Sequence, residues 1–151
     1  MEKVLVTGAS GFIAEHCIIE LLKNGYSVKG SLRTMSREQE VREAVKTETD
    51  DAKLEFCKLD LLEDDGWEDA MWDCDYLMHV ASPFVIEDPK DENELIKPAK
   101  EGTLRALNAA KKAGIKRVVL TSSVAAVNSH MMSGTSDHTT WTDINSKYVT
   151  P

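Results

Sequence analysis

Apolar and polar positions alternate between two regimes along the chain. Short, nearly unbroken apolar runs are separated by longer stretches with a helical period. Lys3 to Thr7 (KVLVT) is such a run, ending at Gly8, which predicts a parallel strand covered on both faces. From Gly11 to Lys23 the apolar residues fall in two adjacent rows, Ile13, Cys17, Leu21 and Ala14, Ile18, Leu22, which predict one helix with a buried stripe. Asn24-Gly25 ends it with residues that tolerate a left-handed backbone. Tyr26 to Leu32 reads as a second strand, and Ser36-Arg37-Glu38-Gln39 as a Ser-x-x-Gln capping box opening a more polar helix through Thr47. Lys53 to Leu59 is the third strand. A short acidic helix around Asp64 to Met71 leads to the fourth, Asp75 to Ala81.

A long helix is expected from Glu92 to Ala113, with Leu95, Ala99, Thr103, Ala106 and Ala110 on one face. Pro98 should kink it or mark where its regular part begins, and Gly102 should let it approach the sheet closely. Gly114 closes this helix, and Ile115 to Thr121 supplies a fifth strand. Residues 122–151, rich in Ser, Thr, Asn and Asp, show no sustained period.

Strands joined through helices pair in parallel with right-handed crossovers, so the expected fold is a doubly wound α/β sheet of order 3-2-1-4-5. No repeat or linker interrupts residues 1–151, which read as one domain. The sheet looks unfinished, because its fifth strand runs into a loop with no strand after it.

Composition narrows the classes. A formal charge of −8 argues against a general nucleic-acid binder. No apolar run approaches a membrane span, and the segment after Met1 reads as structure rather than a leader. Three cysteines, Cys17, Cys57 and Cys74, with no C-x-x-C spacing, read as buried reduced thiols in a cytoplasmic protein. The histidines form no helical metal pair, and His130, Asp137 and His138 are too loose a cluster for a metal site.

The chemistry sits in the first turn. In Gly8-Ala9-Ser10-Gly11-Phe12-Ile13-Ala14, Gly8 permits a tight turn, Gly11 lets backbone N–H groups approach a diphosphate, and Ala14 keeps the helix close to the sheet. The spacing is G-x-x-G-x-x-A, and its place between a strand and an amphipathic helix makes it a dinucleotide-binding turn of the Rossmann type. At the tip of the second strand, where an acid would hold the ribose hydroxyl of NAD, stands Arg33, with Arg37 one helical turn later. A guanidinium forks onto phosphate, which favours NADP.

Six segments in order carry a wider resemblance. They are Thr7 to Ala14, Ser31-Leu32-Arg33, Leu59-Asp60-Leu61, His79-Val80-Ala81-Ser82-Pro83, Ile96 to Ala99 with Gly102-Thr103-Leu104, and Thr121 to Asn128. Together they resemble the extended short-chain dehydrogenase/reductase superfamily, in particular its dihydroflavonol reductase and cinnamoyl-CoA reductase branch. The resemblance implies NADPH-dependent reduction of a ketone or aldehyde. Ser10, Phe12 and Ile13 would join Gly8 and Gly11 around the coenzyme, and Asp60 and Leu61 would flank the adenine. Val80, Ala81 and Ser82 would line the nicotinamide side, while His79 reads as a packing residue. Ser123 takes the place of the catalytic serine, donating to a carbonyl oxygen, and Asn128 that of a substrate-contacting residue. Where the branch often places a second phosphate-binding lysine, this chain has Glu40.

The superfamily's chemistry also uses Tyr-x-x-x-Lys, and none of Tyr26, Tyr76 or Tyr148 is followed by lysine at that distance. The chain is therefore expected to be the coenzyme-binding part of a reductase, close to inactive alone, with the dyad, the substrate lobe and any homodimer interface beyond it. The alternatives are an NADP-binding module without catalysis and a sugar-nucleotide epimerase or dehydratase. Arg33 and the His79 to Pro83 segment disfavour the epimerase reading.

Overall fold

The computed structural model describes residues 1–83, 91, 93–128 and 134–145. Five strands, β1 (Lys3–Val6), β2 (Ser27–Leu32), β3 (Leu54–Lys58), β4 (Tyr76–His79) and β5 (Arg117–Leu120), form one sheet of order β3-β2-β1-β4-β5. Every pairing is parallel, as the helical connections require. The helices are α1 (Phe12–Lys23), α2 (Glu38–Lys46), α3 (Trp67–Met71), α4 (Asn93–Ala113) and α5 (Val124–Asn128), with a 3-10 turn at Met35–Arg37 before α2. The chain divides into two compact units, residues 1–120 and 121–151.

In the first unit the sheet separates two apolar layers, and the alternation of side chains along β1 shows how. Val4 and Val6 point into a layer with Ala14, Ile18, Ile19 and Leu22 of α1 and Val41 and Val45 of α2. Leu5 points the other way, to Trp67, Ala70 and Met71 of α3 and Ala106, Ala109 and Ala110 of α4. Both faces are covered, which is why β1 reads as a continuous apolar run.

Three expected details change. Only the Ala14, Ile18, Leu22 row of α1 is buried. Ile13 is exposed, and Cys17 and Leu21 line an apolar groove with Tyr26 and Met78. The capping box at Ser36 does not form. Arg37 already has helical backbone where α2 begins, and Ser36 lies inside the 3-10 turn, so no side chain caps α2. The cysteines are free but only half-buried. Burial still pushes the Cys57 thiol up to about 11 and that of Cys74 to about 12, so both stay protonated at neutral pH.

Helix α4 runs from Asn93 with Pro98 inside it, and its buried face is Pro98, Gly102, Ala106, Ala109 and Ala110, with Leu95, Ala99 and Thr103 at its half-buried flank. Glu92 lies outside the described residues. Gly102 does make a close approach, but to Leu61 in the loop after β3 rather than to the sheet. A Cβ on Gly102 would lie 2.8 Å from Leu61 Cβ. Gly102→Val is therefore expected to cost about 1–3 kcal/mol by overpacking, read as a lower urea midpoint with unchanged m-value.

In the second unit, α5 is a five-residue helix in the stretch without a sequence period. Ser123 starts it, its Oγ accepting from Ala125 N at 3.2 Å. Thr142 N donates to Ala126 O at 3.0 Å and closes the segment onto the helix.

Candidate functional site

The turn from β1 to α1 is held at both ends. Ala9 N donates to Ser31 O at 2.8 Å and Gly8 N to Ser31 Oγ at 3.2 Å, which ties the loop to β2. Gly11 N donates to Gly8 O at 2.8 Å, closing the turn on itself. Gly8 has φ +71°, the left-handed region, and a Cβ there would lie 3.1 Å from Ala81 Cα. Both the turn and the neighbouring segment after β4 thus require glycine. Gly30 makes room from β2: a Cβ on it would meet Ala9 Cβ at 2.8 Å.

Helix α1 begins after Gly11 with no side-chain cap. Its first-turn N–H groups, those of Phe12, Ile13 and Ala14, face outward at a helix end with partial positive charge. Gly11, Phe12 and Ile13 are exposed around it. A residue with a capping side chain would have filled this place, so the arrangement fits an external anion such as a diphosphate.

At the end of β4 a network with little signal in the sequence organises the neighbouring backbone. The buried Thr7 Oγ1 accepts from both Val80 N and Ala81 N, each at 3.0 Å. Its own proton is then left for His79 Nδ1, 2.9 Å away, which puts the imidazole proton on Nε2. His79 is 2% exposed, lies edge-on to Trp67, and has no partner at Nε2 among the described residues. Burial lowers its pKa from the ordinary 6.5, so the ring stays neutral. His79 is the packing residue expected, but it also holds Thr7, and Thr7 holds Val80 and Ala81.

The two arginines differ. Arg33 is exposed just past β2 and has no ion-pair partner among the described residues. Arg37 is engaged: Nε and Nη2 donate to the Glu40 carboxylate at 2.9 and 2.7 Å, and Nη1 donates to Ser10 Oγ at 2.8 Å. Asp60 caps no helix. It closes an Asx turn, with Oδ1 accepting from Leu62 N at 2.9 Å, and α3 begins only at Trp67. Leu61 is fixed by Gly102 and by Arg105 Nη1, which donates to its carbonyl at 2.9 Å. Ser82 is exposed beyond Ala81.

The carboxyl ends of β1, β2, β3 and β4 therefore bring Gly8, Ser10, Gly11, Phe12, Ile13, Arg33, Arg37, Asp60, Leu61, Val80, Ala81 and Ser82 to one end of the sheet, where ligands of open α/β sheets gather. Ser123 and Asn128 belong to the second unit, Ser123 at the start of α5 and Asn128 at its last residue. Tyr148 and His130 lie outside the described residues, and no metal-binding cluster is found among the described ones. No helix among them is long and apolar enough to cross a membrane.

A profile described as the NAD dependent epimerase/dehydratase family matches residues 4–149. The chain belongs to this family. Within the epimerase/dehydratase family it is 35% identical over 144 residues to dihydroflavonol 4-reductase of Hordeum vulgare, covering 94% of this chain and 41% of that protein. It is 42% identical over 125 residues to a cinnamoyl-CoA reductase of Medicago truncatula, covering 82% of this chain and 38% of that one. Among solved structures, yeast methylglyoxal/isovaleraldehyde reductase Gre2 complexed with NADPH superposes with a TM-score of 0.79 at 32% identity, covering 92% of this chain and 43% of that one. The chain spans about two fifths of the length of these relatives. Both plant relatives share the branch that the six sequence segments resemble.

Proposed function

We propose that this chain is the coenzyme-binding portion of an NADPH-dependent reductase of ketones or aldehydes. The observation that carries the reading is the turn at Gly8, closed beneath Ala81 and leading into a helix end with no side-chain cap. Relatives named as reductases, one solved with NADPH, support the same reading.

Each residue then has a task. The N–H groups following Ser10 and Gly11 receive the diphosphate. Arg33, exposed and without an ion-pair partner among the described residues, takes the extra phosphate of NADPH. The second carboxylate oxygen of Asp60 accepts from the adenine amino group beside Leu61. Val80 and Ala81, fixed by Thr7, present backbone to the nicotinamide. When bound, the coenzyme supplies a hydride. Ser123 donates a hydrogen bond from its hydroxyl to the substrate carbonyl oxygen, and Asn128 contacts substrate hydroxyls. The 151 residues contain no Tyr-x-x-x-Lys, so on their own they lack a proton donor of the kind commonly worth about 10²–10⁴ in rate.

Calorimetric titration with NADPH and then NADH tests this reading. NADPH should bind more tightly, and Arg33→Ser should weaken it by about 10- to 100-fold, the range of a charge-assisted phosphate contact, while leaving NADH within about twofold. Equal affinities for the two coenzymes in the wild-type chain would remove the role of Arg33.

A further inference from the structure

Arg37 has five N–H donors, and the structure engages three of its nitrogens. The edge formed by Nε and Nη2 is filled by the two oxygens of Glu40, at 2.9 and 2.7 Å. The remaining contact, Nη1 to Ser10 Oγ at 2.8 Å, ties the guanidinium to the glycine loop. Both side chains are about half exposed, so a ligand in solution can reach them. Glu40 is also well placed to stay ionised, in the first turn of α2 with Arg37 holding its carboxyl below the usual range.

A phosphate and a carboxylate present paired oxygens to the same guanidinium fork, so one edge of Arg37 cannot serve both. We infer that Glu40 sets how strongly this chain separates a 2′-phosphorylated coenzyme from one with a bare 2′-hydroxyl, by occupying the edge of Arg37 that the phosphate would use. The inference rests on the coenzyme reading above. Glu40 is an internal competitor of the phosphate, and it leaves Arg33 as the guanidinium at this end of the sheet without an acidic partner among the described residues. An incoming dianion must displace the Glu40 carboxylate and then sit near its charge. A bare hydroxyl meets neither cost, so the carboxylate penalises NADPH selectively and narrows the preference created by Arg33.

Calorimetry of the wild-type chain, Glu40→Gln, Arg37→Gln and the double variant, each with NADPH and NADH at low and high salt, decides the matter. Glu40→Gln should bind NADPH about three- to tenfold more tightly at low ionic strength, a gain of the size expected for freeing a half-exposed ion pair and removing a like charge. Its NADH affinity should change less than about twofold, and the NADPH gain should shrink in 0.5 M salt, where the Debye length is only a few ångströms. In the Arg37→Gln background the gain should fall below about twofold, because the competition needs both partners. Glu40→Lys, a second surface variant at the same position, should tighten NADPH at least as much. An unchanged or weaker NADPH affinity in Glu40→Gln and Glu40→Lys, an equal gain for NADH, or a gain that survives without Arg37 overturns the inference while leaving the coenzyme reading intact. Failure of the wild-type chain to bind either coenzyme overturns both.

Discussion

Gly8→Val is expected to destabilise the first unit by about 2–4 kcal/mol and to abolish coenzyme binding. Two costs add at this position. Gly8 sits at φ +71°, where a β-branched residue is strained by roughly 1–3 kcal/mol. The new side chain also starts 3.1 Å from the Cα and Cβ of Ala81, tighter than ordinary contact and against backbone that cannot swing aside. Ala81 is itself held by Thr7, so relief means moving the end of β4 or opening the turn that Gly11 closes. Either movement displaces the N–H groups at the start of α1. Urea unfolding measures the first effect and NADPH titration the second. A variant with wild-type stability and affinity would show that the turn does not have the tight geometry described. Gly8→Ala, with the same φ but a smaller clash, should fall between the two.

The sequence disclosed the sheet order and the glycine turn after β1 because both depend on local patterns. The run Lys3 to Val6 has the unbroken apolar character of a strand covered on both faces, and glycine at position 8 matches a positive φ in the turn that follows it. What stayed hidden depends on contacts between distant segments. Ile13, Cys17 and Leu21 have the same spacing as Ala14, Ile18 and Leu22, and only the position of α1 over β1 and β2 shows which row meets the core. Ser36 has the residue types of a capping box, but the chain enters α2 through a 3-10 turn that begins one residue earlier. Gly102 was expected to meet the sheet, and its partner Leu61 lies 41 residues away in a loop. Arg37 illustrates the limit for charged groups. Its spacing from Arg33 suggested a second phosphate ligand, whereas Glu40, three residues further on, is what its fork actually holds.

Thr7→Val is the second large change, because it keeps the shape of a buried side chain and removes the atom that three groups share. Without Oγ1, the Val80 and Ala81 N–H groups and His79 Nδ1 all lose their partner. Stranded buried polar groups cost about 1–3 kcal/mol each, and partial access of water near Val80 and Ala81 brings the expected total to about 2–4 kcal/mol. The effect has a pH signature through His79. Burial lowers the folded-state pKa of this ring below the 6.5 of the unfolded chain, so its neutral form stabilises the fold fully above pH 6.5. As pH falls below 6.5 the unfolded chain takes up a proton that the folded chain refuses, and stability declines by at most about 1.4 kcal/mol per pH unit until the folded pKa is passed. His79→Gln keeps an oxygen that can accept from Thr7 and has no titrating group, so its stability should lose this component between pH 6.5 and 5 while Thr7→Val retains it. Urea midpoints across that range for the three proteins provide the comparison. Parallel slopes for wild type and His79→Gln would mean that His79 titrates normally, and the link from imidazole to Thr7 to the backbone of Val80 and Ala81 would then not operate as described.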